Sequence, residues 1–387
     1  MRCAMKGLLL VLSFVCARIH AEQLIDFEKD MMSEFVLETK KINIPGFLDA
    51  FNPSIVPFNG GLLMSFRSRE FGSSGTSGES GDTLSDDHDA FLMSFRFRNR
   101  DDPACKSDVV SQQAGTNCKN QIGLVLLNQH FEPISWPQIL EIRYSSPLVA
   151  ARQQDPRLLY VGNRLFIVYS NMLNGEKGPE LRRMFVAELF YRNETFAAGE
   201  PILIDNYEGQ DEQKVTKNWV PFASGEKLNL AYNINPHTVF RFDGTNSCQT
   251  LGNTSAQIDW DYGTLRGGTP ALLDDDGQYL AFFHSSKEMK SAHSEGKKIQ
   301  HYFMGAYTFS SEPPYSLTSI SAAPIIGRNF LNGPAHSTWK PLRVVFPGGI
   351  VLGKEKVWVA YGRQDHEVWI ATIDKKKLRE SMVRVGR

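Results

Sequence analysis

From about residue 40 onward the chain is built from short apolar runs separated by turn formers. Leu62–Arg67, Ala90–Arg96, Gly123–Leu127, Arg164–Tyr169, Phe185–Phe190, Lys227–Tyr232, Tyr279–His284, Tyr302–Tyr307 and Val357–Tyr361 are each bounded by Gly, Asn, Asp or Pro. Runs of this length without a 3.6-residue period read as β-strands, and many in succession predict a sandwich, barrel or propeller. One unit recurs: a Pro-containing loop leads through a Gly or Asn turn into an apolar strand. Its copies begin at Asn52, Asp155, Trp219, Thr269 and Val344, spaced 50 to about 100 positions apart. One such hairpin per blade predicts an all-β, five-bladed β-propeller.

Composition narrows the class. The 387 residues are 42% hydrophobic, and 42 Lys and Arg stand against 43 Asp and Glu. That allows a large buried core, argues against disorder, and lacks the basic excess expected of a nucleic-acid binder. Arg2 and Lys6 precede the apolar run Gly7–Ala17, and small residues follow at Ala17 and Ala21. These are the parts of a secretory signal peptide, so residues 1–21 are expected to be removed and 22–387 to form one domain. The run is too short to span a bilayer, and no other stretch is long and apolar enough. The expected location is therefore secreted, lumenal or periplasmic.

In an oxidising compartment Cys105 and Cys118 are the expected disulfide, which leaves Cys248 as the odd thiol. Asn193-Glu-Thr and Asn253-Thr-Ser are glycosylation sequons. Gly72–Asp89 and Arg98–Gln121 read as long polar loops. No metal-ligand spacing, phosphate loop or nucleophile elbow occurs, so neither a metal nor an organic cofactor is expected. The Asp274-Asp-Asp-Gly277 run reads as a solvated turn, because it lacks the calcium-loop pattern.

In a propeller, polar groups at the inner strand starts converge on the axis. The candidates are Arg67 and Arg69; Asp155 and Arg157; Lys217, Asn218 and Trp219; Arg266; His284; and Arg363, Asp365 and His366. Carboxylates and guanidinium groups beside an indole suit a sugar, whose hydroxyls take bidentate partners and whose face stacks on the ring. Glycosidic cleavage needs a proton donor, for which Asp155 is the choice, and either a second carboxylate or an external nucleophile. Each residue also has a plainer reading. Asp-Pro opens turns, Arg157 can be a salt-bridge residue, Lys217 and Arg266 can face solvent, and His237 and His284 can be satisfied strand-end histidines.

The order of motifs is more specific than any one of them. Asn52-Pro…Arg67, Gln154-Asp-Pro-Arg157 with Tyr169, and Lys217-Asn-Trp…Pro221 come first. Arg266-Gly-Gly-Thr-Pro270…His284, Val344-Val-Phe-Pro-Gly348 and Tyr361-Gly-Arg-Gln-Asp365 follow. Over residues 45–375 this resembles glycoside hydrolase family 130, the β-mannoside phosphorylases and β-1,2-mannosidases, with related mannosyltransferases. The resemblance implies a five-bladed propeller with an axial site, Asp155 as proton donor, and Arg67 and Asp365 on the mannose. It also implies phosphate contacts at Lys217, His237, Arg182 and Arg183, with Arg157, Asn218, Trp219, Arg266 and His284 completing the substrate pocket.

The sequence departs from the family's pattern at Gln154, where Glu is common, in the shortened Gly267-Gly-Thr-Pro270 stretch, and in the Lys217-Asn-Trp motif, which is not the commonest family form. These departures bear on the phosphate site more than on the fold. A phosphorylase conserves bond energy as a sugar phosphate, which is useful mainly inside a cell. A secreted β-mannoside hydrolase therefore ranks first and a phosphorylase or mannosyltransferase second. A carbohydrate-binding propeller without chemistry is the reading from another class. The expected partners are an oligosaccharide and, in the second reading, inorganic phosphate. For hydrolysis, Asp211, Glu212, Asp259 and Asp261 are open candidates for the base, ~6.5–9.5 Å from Asp155 in an inverting enzyme.

Overall fold

The computed structural model describes residues 24–58, 90–98, 120–146, 149, 152–173, 181–211, 215–334, 336 and 340–386. The expected leader, Arg67, Arg69, Glu212 and the Cys105–Cys118 pair lie outside these residues.

A short helix α1 (Phe27–Asp30) and the strand β1 (Val36–Ile42) come first. Four antiparallel strands then form sheet 1: β2 (Phe51–Pro57), β3 (Phe91–Arg98), β4 (Asn120–Leu127) and β5 (Gln138–Ile139). Sheet 2 holds β6 (Gln154–Val161), β7 (Arg164–Leu173), β8 (Leu181–Arg192), β9 (Thr195–Ala198) and β10 (Ile202–Leu203). Sheet 3 is β11 (Val220–Ser224), β12 (Lys227–Asn233), β13 (His237–Phe242) and β14 (Cys248–Thr254).

Sheet 4 is the least regular. The strands β15 (Arg266–Gly267), β16 (Leu272–Leu273), β17 (Gln278–Met289), β18 (Ile299–Ser310) and β19 (Leu317–Ser321) are joined by β20 (Leu342–Arg343) and the terminal β24 (Met382–Arg384). Sheet 5 is β21 (Val345–Leu352), β22 (Lys356–Arg363) and β23 (Glu367–Asp374), and β1 pairs along its outer edge. The helix α2 (Lys375–Ser381) follows β23.

The sheets form a propeller. Apolar clusters join sheet 1 to 2 (Leu92, Leu124 on Ile167, Phe185), 2 to 3 (Val168, Val186 on Leu230, Phe240) and 3 to 4 (Phe222, Val239 on Phe283, Tyr307). Others join 4 to 5 (Leu280, Phe282 on Ile350, Val359) and 5 back to 1 (Trp358, Ile370 on Met93, Phe95). Successive residues of one strand therefore face different neighbours: Leu92 packs toward sheet 2 and Met93 toward sheet 5. Strands buried on both faces need no polar alternation, which is why the sequence shows unbroken apolar runs. Each fully buried Leu, Ile or Phe in them contributes roughly 1.5–3 kcal/mol.

The acidic turn Asp274–Gly277 is not simply solvated. Asp274 takes Lys375 Nζ and Arg379 Nη2, both at 2.8 Å, so the turn holds α2 against the ring.

Candidate active site on the propeller axis

The first strands of the sheets meet about one axis, where β2, β6 and β21 are in mutual contact and β11 joins β6. Pairing breaks in three of these strands: between Phe51 and Ser54, between Gln154 and Arg157, and between Pro347 and Gly349. Asn52 and Asp155 sit in two of the breaks at φ +47° and +54°, each just before a proline that cannot donate to the ladder. Asn and Asp tolerate this left-handed conformation better than other side-chain-bearing residues, and the bulge turns their side chains out of the sheet. Asn218, at φ +65° just before β11, shares the left-handed conformation without a bulge or a following proline.

Asp155 is buried, and its Oδ1 accepts from Asn52 Nδ2 at 2.9 Å and from Arg96 Nη1 at 3.3 Å. Burial would raise its pKa, but Arg96, Lys217, Arg157 and the Asn52 hydrogen bond together outweigh it and hold the carboxyl at about 2. Arg96 was not singled out in the sequence. Its Nε donates to Asn120 Oδ1, and its Nη2 donates at 2.8 Å to the amide oxygen of Gln154, turned to accept it. The same oxygen accepts from Arg182 Nη2 at 3.0 Å. Gln154 thus couples two guanidinium groups without adding a negative charge.

Lys217 reaches this cluster because Thr216 N donates to the Arg182 carbonyl at 3.0 Å, laying the segment before β11 along β8. Lys217 is open to solvent yet walled in by protein. That enclosure lowers its pKa, Asp155 opposes the shift, and Arg182, Arg96 and Arg266 add to it. Arg266 pairs with His284 across β15 and β17. His284 is buried between Tyr302 and Phe346, and burial aided by Lys217, Arg157 and Arg266 depresses its pKa to about 3. Its Nδ1 has no hydrogen-bond partner. Asp365, at φ +51°, acts electrostatically on Tyr302, as do Arg266 and Asp155. The axis therefore gathers Asp155, Lys217, Arg266, His284, Arg182 and Asp365 with Arg96, Gln154, Asn52 and Tyr302.

Other candidates fall elsewhere. Arg157 is fully buried and donates to the carbonyls of Gly268 (2.6 Å) and Asp155 (2.9 Å), with longer contacts to Asn218 Oδ1 and the Gly267 carbonyl. It fixes the backbone of the site. Gly267 is required beside it, because a Cβ there would run into the Asn218 carbonyl. Trp219 is 1% exposed and its indole lies among Tyr207, Tyr232 and Phe240, so it offers no face to a sugar. His237 is buried against Phe309, with Nδ1 at 2.7 Å from the Tyr315 carbonyl and its pKa lowered to about 4 by burial. It lies in the packing between sheets 3 and 4.

Arg183 points away from Arg182, as neighbours on a strand do, and donates to the Asp211 carbonyl. Arg363 is buried, bound to Glu367 and the Asn332 carbonyl, and His366 lies 3.3 Å from Asp49. Asp259 and Asp261 are exposed. Among the described residues no group of His, Cys, Asp or Glu is arranged to hold a metal, and Cys248 is a free thiol.

No family model and no curated relative matches the sequence. The fold, however, is shared with solved structures. One belongs to the GH130 family of mannoside phosphorylases, in work describing hydrolases that target β-1,2 mannosidic linkages in Candida mannan (13% identity, 85% of each chain, TM-score 0.54). A second is MPT-4, a mannose phosphorylase from Leishmania mexicana in complex with phosphate (12% identity, 93% of this chain and 94% of that one, TM-score 0.53). A third is MPT-1, a GDP-Man-dependent mannosyltransferase from Leishmania mexicana (14% identity, 90% and 92%, TM-score 0.51). The fold is thus that of the GH130-like propellers, as the order of motifs implies.

Proposed function

We infer that the protein is a carbohydrate-active enzyme that cleaves β-mannosidic bonds, with the five sheets standing as five blades around the site. The observation that carries the reading is the Asp155 carboxyl on the axis, faced by Arg96 and Lys217, with Arg182 and Arg266 acting in turn on Lys217. Such a surface suits an oxyanion better than it suits a water activated by a carboxylate. On that ground phosphorolysis moves ahead of hydrolysis, reversing the order drawn from the sequence.

A phosphate oxygen forms the bond to the anomeric carbon as the glycosidic C–O bond breaks. Asp155 delivers its proton to the leaving oxygen, and inversion gives a mannose 1-phosphate and a shortened saccharide. Lys217, Arg182 and Arg266 hold the phosphate, while Asp365 and Asn52 orient the sugar and the acid. The leader, if removed as expected, puts this chemistry in a lumenal or external compartment.

The test is product analysis on β-1,2-linked manno-oligosaccharides with and without phosphate. Mannose 1-phosphate formed only with phosphate, and lost by about 10³-fold or more in Asp155→Asn while substrate still binds, is the expected result. Free mannose without phosphate would restore the hydrolase reading. Activity only with GDP-mannose would make it a transferase.

A further inference from the structure

We propose that the oxyanion and the catalytic proton enter this site together: an anion that takes the Arg96 guanidinium draws it off Asp155, whose carboxylate then picks up a proton from solvent. The inference rests on the anion-binding reading above and deepens it.

Geometry sets up the exchange. Arg96 spends one Nη on Asp155 and the other on Gln154, and Gln154 passes the contact on to Arg182. Asp155 is the carboxylate bonded to Arg96, because Gln154 is neutral. An anion bridging Arg96 and Arg182 must therefore compete with Asp155 for the same donor. The groups facing Asp155 are Asn52 from β2, Arg96 from β3, Arg157 from its own strand and Lys217 from the segment before β11. His284 and Tyr302 face it from sheet 4, and Asp365 lies beside Tyr302.

Without a ligand these cations keep the carboxyl at about 2, which leaves it ionised and unable to act as an acid near neutrality. An anionic charge ~5 Å away, at an effective dielectric near 20, moves the carboxyl titration upward by about two pH units per charge. The acid is then armed only when the nucleophile is seated. Without phosphate the ionised carboxylate has no proton to deliver to a leaving group, so cleavage by water is disfavoured by the same arrangement. Arg96 thus acts twice, as a ligand of the anion and, by leaving Asp155, on the proton of the acid.

Sulfate is the probe, because it does not titrate between pH 4 and 8. Calorimetry of sulfate binding to the whole protein at pH 5, in two buffers of different ionisation enthalpy, is expected to show uptake approaching one proton per anion. Sulfate affinity should rise toward tenfold per unit as the pH falls from 6 to 4. In Asp155→Asn, checked for folding by its melting curve, sulfate should bind at least as tightly with neither proton uptake nor slope. His284→Gln and Asp365→Asn should retain both. Gln154→Glu should weaken sulfate about tenfold, by placing a carboxylate between the two guanidinium groups.

Sulfate bound without proton uptake overturns the coupling and leaves the phosphate reading standing. Uptake that survives Asp155→Asn and disappears in His284→Gln overturns it too, by moving the proton to the imidazole. Binding of neither sulfate nor inorganic phosphate overturns the anion site itself. Displacement of sulfate by inorganic phosphate supports phosphate as the anion, whereas displacement by GDP-mannose alone assigns the site to a nucleotide sugar.

Discussion

Trp219 shows what decides a role at the scale of one residue. Its indole edges onto Tyr207 at 5.0 Å and Tyr232 at 5.1 Å, and both faces of the ring are occupied by the packing between sheets 2 and 3. Trp219→Phe is expected to lower stability by about 1–2 kcal/mol and to leave the KM for the saccharide within twofold; Trp219→Ala should cost about 3–5 kcal/mol. A tenfold rise in KM for the Phe variant would instead place the indole under the sugar. The sequence marks Trp219 as polar-flanked and near Lys217, but it cannot say which way a side chain turns from its strand. Asp155, Lys217, Arg266 and His284 were offered by the sequence because they stand at or just before the ends of the repeated units, although Trp219 shows that such a position does not by itself turn a side chain to the axis. Arg96 was not, because it ends the run Ala90–Arg96, which belongs to no repeated unit, and counts there as one more strand residue. A charge within a strand otherwise buried on both faces is the signal that could have found it, since such a charge must be paired.

At the scale of elements, the segment before β1 has a structural task that its sequence does not announce. Glu28, buried in α1, accepts from the backbone nitrogens of Asn329 (2.9 Å), Leu331 (2.7 Å) and Asn332 (2.7 Å). Asn332 in turn gives its carbonyl to Arg363, two residues from Asp365. Glu28→Ala takes the acceptor from three backbone N–H groups, that of Leu331 fully buried, and is expected to cost about 3 kcal/mol. It should also raise the saccharide KM several-fold by loosening the turn that carries Asp365. A variant that melts like the unaltered protein with unchanged KM would show that α1 is only an appendage. Every predicted apolar run among the described residues falls on a strand: Arg164–Leu173, Gln278–Met289 and Lys356–Arg363 each contain one. The three bulges were not readable, because a bulge is a misfit between two strands and appears in neither alone. The docking of α2 on the Asp274 turn was hidden for the same reason.

At the scale of the whole molecule, the ring is held shut by a strand from one end of the chain on a sheet from the other. β1 pairs with β23 from Val36 to Ile42, and its charged pattern, Glu38, Lys40 and Lys41 among apolar residues, gives no hint of a partner more than three hundred residues away. Lys41 Nζ meets Glu367 Oε1 at 2.7 Å; Arg363 and Trp369 Nε1 bind the other carboxylate oxygen. Burial would raise the Glu367 pKa, but these partners bring it down to about 2. An unfolded Glu titrates near ~4.3, so the folded state binds this proton more weakly. The stabilisation is therefore complete above about pH 4.5 and is lost as the pH falls through the folded value near 2, and Asp155 works in the same direction. Melting temperature is expected to fall steeply between pH 4.5 and 2, with β1 and β23 the first strands to lose amide protection. Glu367→Gln should cost about 3 kcal/mol at pH 7, because Arg363 loses its buried counter-charge, and should flatten the acid dependence. If the variant instead follows the unaltered protein's pH curve at a constant offset, the acid sensitivity lies elsewhere in the ring. Protection lost first in sheet 2 or 3 would show that the β1 closure is not the weak point.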